Sequence, residues 1–204
     1  MAIITLPIGL KYNTFSWGII DYEMEETSDS TGDTSARVLG PSRWTAHLAS
    51  QDDMTLAEAS KWEYLQLMLK GGNVLALYDV VRPQPIGTLR GSPVLQSGVA
   101  VGDTSAIISS AGGGVKQGDW LGFNSGFGSS QLVKIMADAD PVSGVLTIQF
   151  QQPVRKAFVT GAAVTWSKPV AYFKKSNRQS TLGQYTNQGT GQGGFSIDLV
   201  ERFG

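Results

Sequence analysis

Few residues of this chain are equipped for chemistry. Its 204 residues include one histidine, His47, and no cysteine, which excludes disulfides and thiolate zinc sites. A histidine-based zinc hydrolase needs more than one imidazole, so that class is excluded as well. His47 stands between Ala46 and Leu48, and on a strand the alternation turns it away from Trp44 and Leu48, to the outer or interface face. No Gly-x-Ser-x-Gly elbow accompanies it, so a structural or solvated role outweighs nucleophilic catalysis. Glu25 and Glu26 are neighbours, and neighbours on an extended strand point to opposite faces, which makes a poor acid and base couple. Asp138 and Asp140 offer two oxygens to a cation, without the remainder of a calcium loop. Gly112-Gly113-Gly114 before Val115-Lys116-Gln117, and the Gly-Thr-Gly-Gln-Gly-Gly run at 189–194, lack the Gly-Lys-Ser/Thr step and helix of a phosphate loop. Both read as loops. No catalytic residue, metal or cofactor is expected, and the protein is read as a non-enzyme.

The elements begin with residues 55–78. Thr55 and Glu58 have capping-box spacing, and Ala59, Trp62, Leu65 and Leu69 recur at helical spacing, with Leu56 and Met68 widening the stripe. This predicts a helix over 56–70, ended by Gly71-Gly72 in left-handed conformation. The apolar run 74–78 then suits a buried strand. It is the one convincing amphipathic helix, so it has a sheet to cover.

Strands surround it. Phe15, Trp17 and Ile19 alternate through residues 14–22, and Trp44, Ala46 and Leu48 share a face through 37–50. Residues 23–36, acidic and rich in Ser, Thr and Gly, read as a long mobile loop or an extended hairpin tip. Arg82-Pro83-Gln84-Pro85-Ile86-Gly87 is linker-like. Beyond it, short strands are expected at 105–109, 119–123, 131–136, 145–150 and 163–166, with Asp140-Pro141-Val142-Ser143-Gly144 as a hairpin connection. Five such strands fit a small barrel or sandwich of the oligomer-binding type. Lys168-Pro169 marks the exit, and strands at 170–174 and 195–203 are expected to complete the first sheet, because a lone pair would be marginal in water. The fold class is therefore mainly β (α+β). A split β-barrel or sandwich with one flanking helix (1–90 and 167–204) is interrupted by an inserted small β-barrel (91–166).

Charge narrows the partners. The net charge is −1, so no basic field argues for wrapping nucleic acid. Charged residues are 16% of the chain, against roughly 25% in ordinary soluble domains, which suits a surface partly turned to other subunits. The opening residues lack the basic region and apolar core of a signal peptide, and no apolar run approaches a bilayer span. Synthesis in the cytosol without membrane insertion is expected. Glu23, Glu25, Glu26, Asp29 and Asp33 form either a solvated loop or, if copies close into a ring, an acidic lining that repels a DNA backbone in passage. Lys168, Lys174, Lys175 and Arg178 are the basic counterpart, which suggests a head-to-tail contact between copies. The polar loop 176–194 should be mobile alone and order against a neighbour.

Several segments together resemble the distal tail proteins of long, flexible-tailed bacteriophages. They are Leu6-Pro7-Ile8-Gly9-Leu10 with the strand 13–22, Ser42-Arg43-Trp44, the helix-to-strand segment Trp62-Glu63-Tyr64-Leu65 through Leu75-Ala76-Leu77-Tyr78-Asp79, and the close at 195–201. The middle is similar to the inserted β module of that family through Val115-Lys116-Gln117-Gly118-Asp119-Trp120-Leu121 and the hairpin at 142–150. The resemblance implies a virion subunit in a homo-oligomeric, hexameric ring at the tail tip, assembled in the host cytoplasm. Its implied partners are the tail tube protein above and the hub and fibre proteins below, with DNA only in transit. Two other readings stay open. One is a tail-tube or tube-terminator protein. The other is a carbohydrate-binding module that uses Trp120, Phe123 and Phe127 on the insert.

Overall fold

In the computed structural model, which describes residues 2–27, 29–124, 130–176, 184–185 and 192–202, the capping box is closed. Thr55 Oγ1 accepts the Glu58 N–H at 3.4 Å, and Glu58 Oε2 accepts the Thr55 N–H at 3.0 Å. The helix α1 (Leu56–Met68) follows. Ala59, Trp62, Leu65 and Leu69 are buried as their spacing requires. Leu56 corrects the sequence reading: it is 73% exposed, because a helical rotation of roughly 100° per residue carries it to the side of Tyr64 and Leu67. Gly71 and Gly72 take φ of 70° and 83°, a left-handed reversal that residues with a Cβ rarely adopt. Asn73 Nδ2 donates to the Met68 carbonyl at 2.9 Å, capping an otherwise orphaned acceptor.

The strands in chain order are β1 (Ile3–Thr5), β2 (Tyr12–Thr27), β3 (Thr34–Ser50), β4 (Val74–Leu77), β5 (Val94–Leu95), β6 (Ser105–Ser109) and β7 (Trp120–Asn124). There follow β8 (Ser130–Lys134), β9 (Leu146–Gln149), β10 (Ala163–Thr165), β11 (Ala171–Lys175), β12 (Gln184–Tyr185), β13 (Gln192–Gly193) and β14 (Ser196–Glu201). The first sheet has the order β1-β4-β11-β14-β3-β2. It draws strands from both ends of the chain; β1 is parallel to β4 and every other pairing in it is antiparallel. The second has the order β8-β7-β10-β5-β6-β9.

Neither sheet is a closed barrel. The second has six strands rather than five, because the two residues of β5 are too few to show a period. Its edge strands meet beyond their ladders at one bridge, Ile135 to Phe150. The hairpin at 140–145 turns through Ser143 (φ 52°) and Gly144 (φ 77°), and two successive positive φ values match the strand twist.

Two apolar clusters result. Leu121, Phe123, Phe150 and Phe158 anchor one inside the second sheet. The other lies on one face of the first sheet, where Trp62 of α1 stacks on Phe195 at 6.1 Å. The helix covers only part of that face. Trp120 and Leu132, from the second sheet, cover the rest.

Replacing the capping hydroxyl, Thr55→Ala, should lower stability by about 1 kcal/mol, read from urea midpoints. Lys11 Nζ lies 2.7 Å from Glu58 Oε1, and this contact, with the Thr55 N–H, holds the Glu58 pKa down at about 2. A depressed carboxylate stabilises the fold fully above its ordinary value and loses that contribution as pH falls toward 2. Acid unfolding of Glu58→Gln should accordingly lack part of the wild-type pH dependence between about 4.5 and 2, and superimposable acid curves would remove this role.

Candidate functional site

The acidic stretch forms a hairpin that leaves the body of the protein. β2 and β3 pair from Tyr12 and Ser50 to Thr27 and Thr34, whereas β14 accompanies β3 only between Ala49 and Thr45. Past Gly18 and Thr45 no third strand accompanies the pair, which continues as a ribbon bordered at its root by residues 151–153 and by Arg155, whose Nη1 reaches the Ser42 carbonyl. From Ile19 to Thr27 the ribbon extends for about 30 Å at roughly 3.4 Å per residue. Register shifts near Ile20 and Tyr22 bend it. Its apolar residues face water: Val38 is 68% and Leu39 61% exposed, and Ile20, Tyr22 and Met24 are exposed as well. Glu23 lies opposite Val38 and Glu25 opposite Ala36 on one face, while Glu26 lies opposite Ser35 on the other. Asp29 and Asp33 sit in the exposed tip. A bare two-stranded ribbon is marginal in water, and contiguous exposed apolar surface marks contact sites.

At the ribbon's root lies the seam between the sheets. The Trp44 and Trp120 rings meet edge-to-face with centroids 4.8 Å apart, and Trp17 packs on Trp120 at 5.6 Å and on Phe173 at 5.2 Å. Both buried indole nitrogens of the first pair are used: Trp44 Nε1 donates to the Leu132 carbonyl at 3.2 Å and Trp120 Nε1 to Asp79 Oδ2 at 3.0 Å. Asp79 also accepts from Val81 N, Arg82 N and Arg82 Nε, which saturates its carboxylate. Beside this cluster, along the outer edge of β2, opens a groove of about 430 Å³. Trp17, Trp44 and Trp120 form its aromatic floor, and Arg82 and Lys134 stand at its rim.

A buried ion pair crosses the same seam. Arg155 Nη2 lies 2.5 Å from Glu201 Oε1, Arg155 Nη1 donates to the Ser42 carbonyl at 2.8 Å, and Trp44 N donates to Glu201 Oε2 at 3.1 Å. Glu201 is 1% exposed. Burial pushes the Glu201 pKa up against the pull of Arg155, and burial likewise pushes Arg155 down against the pull of Glu201. Burial opposes the charged form of both groups, and their mutual attraction and hydrogen bonds favour it. Sequence reading missed this pair, although one signal existed: Phe195, Ile197 and Leu199 alternate inward, and the next inward position is Glu201.

The remaining candidates take other places. Phe123 (0% exposed) is enclosed in the second sheet's core, which removes it as a sugar contact; Trp120 (4% exposed) shows only the small part of its ring that floors the groove, and Phe127 lies outside the described residues. The alternation that turns Leu121 into the second sheet's core turns Trp120 toward the first. His47 keeps to the open face and bonds Asp198 through Nδ1 at 2.7 Å. Lys174 pairs with Val200 and Lys175 with Leu199, which places the two lysines on opposite faces. Burial and the nearby Lys70 pull the Lys175 pKa down while Asp198 opposes them. Arg178 and most of the loop 176–194 lie outside the described residues. Asp138 is engaged by Lys116 Nζ and Gln117 N at 2.9 and 2.8 Å. A Cβ on Gly113 would stand 2.2 Å from the Thr88 carbonyl oxygen, so that glycine run serves close backbone packing.

Removing one partner of the seam pair, Arg155→Met, should destabilise the protein by about 3–5 kcal/mol at neutral pH. Because the Glu201 pKa is raised in the fold, the deficit should narrow as acid protonates the stranded carboxylate. Arg155→Met with Glu201→Gln should recover much of the loss in thermal melts. Compared with models of protein families and with curated proteins, the chain matches none of either, so a functional reading rests on the ribbon, the groove and the seam.

Proposed function

We propose that this protein is a structural ring subunit of a bacteriophage tail, placed at the distal end, where the tail tube meets the tip. The observation that carries the proposal is the exposed ribbon of residues 19–27 and 29–41. A chain gains little from holding Ile20, Tyr22, Met24, Val38 and Leu39 in water unless a further surface covers them. The ribbon and its free strand edge serve copies of the same chain, and a contact between unlike surfaces closes into a ring when the rotation per subunit divides a full turn. Six copies are proposed on the family resemblance.

The work of such a ring is architectural. It joins the tube protein to the hub and fibre proteins and leaves a bore for DNA. Glu23, Glu25, Glu26, Asp29 and Asp33 lie on or at the tip of the ribbon, and those not engaged by a neighbouring copy would, near a bore, keep the phosphate backbone from adhering. The second sheet, anchored through Trp120 and the Arg155–Glu201 pair, is then the module offered to the tip. A tube or tube-terminator subunit is the closest alternative within the same class. No reaction is assigned to the chain, and its site of action is the virion.

Mass measurement and negative-stain imaging of the purified full chain test the proposal. A ring of six subunits is expected, alone or on addition of tube protein. A monomer at every concentration, with or without tube protein, would overturn it.

A further inference from the structure

The ribbon and the groove are complementary in the same two properties. The groove offers an aromatic floor with cations at its rim. Lys134 Nζ lies 5.2 Å from the centre of the Trp120 ring, and no carboxylate of the described residues pairs with it. Arg82 spends its Nε on Asp79. Asp79, the groove's acid, is saturated by four donors, so the rim keeps an excess of positive charge. On the ribbon, one face carries Val38 and Ala36 together with Glu23 and Glu25; Glu23 and Val38 border residues 151–153 of their own molecule, yet Val38 remains 68% exposed. That face is apolar and acidic where the groove is aromatic and basic.

Reach separates the two within one molecule. Glu25 lies six residues beyond Ile19 along β2, roughly 20 Å from the groove at 3.4 Å per residue, and the extended ribbon carries it outward. β2 is also the last strand of its sheet, so the groove opens beside unpaired backbone groups able to receive another strand.

Resting on the ring reading, we infer that the groove at the β2 edge receives the ribbon of a neighbouring copy. Val38 enters among Trp17, Trp44 and Trp120, and Glu23 and Glu25 meet Lys134 and Arg82. The basic counterpart of the acidic ribbon is then this rim, in place of Lys174 and Lys175, whose side chains diverge. The contact joins unlike surfaces, ribbon to groove, as ring closure requires. It would also bring the aromatic seam of each subunit against its neighbour.

Charge exchange tests the pairing on the full chain. Lys134→Glu and Glu25→Lys should each raise the concentration for half-assembly about tenfold or more, by light scattering, with unchanged circular dichroism. Their combination should restore assembly toward wild type. The chain has no cysteine, so Glu25→Cys with Lys134→Cys gives a second readout, in which oxidation should produce a ladder of linked subunits. Single variants that assemble like wild type, a combination no better than either single, or an absent ladder would overturn the docking while a wild-type ring left the ring reading standing. A wild type that never assembles would overturn both.

Discussion

One sheet face, wide and apolar, has only a short helix to cover it, and the architecture follows from that shortage. The thirteen residues of α1 shield the strands around Phe195 and Leu65 but leave Trp17, Trp44 and Phe173 uncovered. The second sheet closes this gap with Trp120 and Leu132. The seam is therefore part of the first sheet's core, and the burial that stabilises the fold also fixes the orientation of the inserted strands. Burying three indoles together gives a large apolar contribution, while Asp79 and the Leu132 carbonyl satisfy two of their N–H groups. The Arg155–Glu201 pair adds little net stability, since both charges are desolvated. Its directional bonds to Ser42 and Trp44 specify one registry between the sheets.

The opposite face of the first sheet has a different character. Ser16, Gly18, Thr45, His47, Asp198 and Lys174 lie on it, small or polar, and His47 and Asp198 bond each other there. An antiparallel sheet tolerates one solvated face, so this surface makes no demand for a partner. The ribbon does. It has the same two strands but, beyond the root bordered by residues 151–153, neither a helix nor a sheet behind it, and its apolar residues stand exposed on both sides. Within one molecule the seam and the ribbon are successive parts of one hairpin, covered at the root and bare at the tip.

Local signals in the sequence were legible where a single period or cap decides the structure. The Thr55–Glu58 box, the stripe of Ala59, Trp62, Leu65 and Leu69, the alternation of Trp44, Ala46 and Leu48, and the strand at 105–109 all follow from spacing alone. What stayed hidden depends on contacts distant in sequence. Whether residues 23–36 loop or pair is undecided by composition, because Glu, Ser and Thr serve both states; the register with β3 decides it. Trp120 and Leu121 announce that one must face outward. Only the position of Trp44 shows that the outward residue is buried against another sheet. Gly112-Gly113-Gly114 imitates a phosphate loop in sequence, and the close approach of residues 88–90 and 139–140 is what requires it.

The candidate site was half legible for the same reason. Its acids could be read as a cluster, since they are contiguous, but the groove is assembled from β2, β3, β7, β8 and the segment after β4, and no local pattern announces it. Such a site is tied to the fold in a particular way. Trp17, Trp44 and Trp120 bury apolar surface for the seam on one side and line the groove on the other. A subunit whose docking groove is the outer surface of its own core cannot present that groove until the two sheets have closed. Assembly would then await folding, and the exposed ribbon, paired only to itself, would find its place on neighbours that are already complete. For a chain proposed to act by self-association, that coupling restricts the ring to correctly folded copies without any additional device.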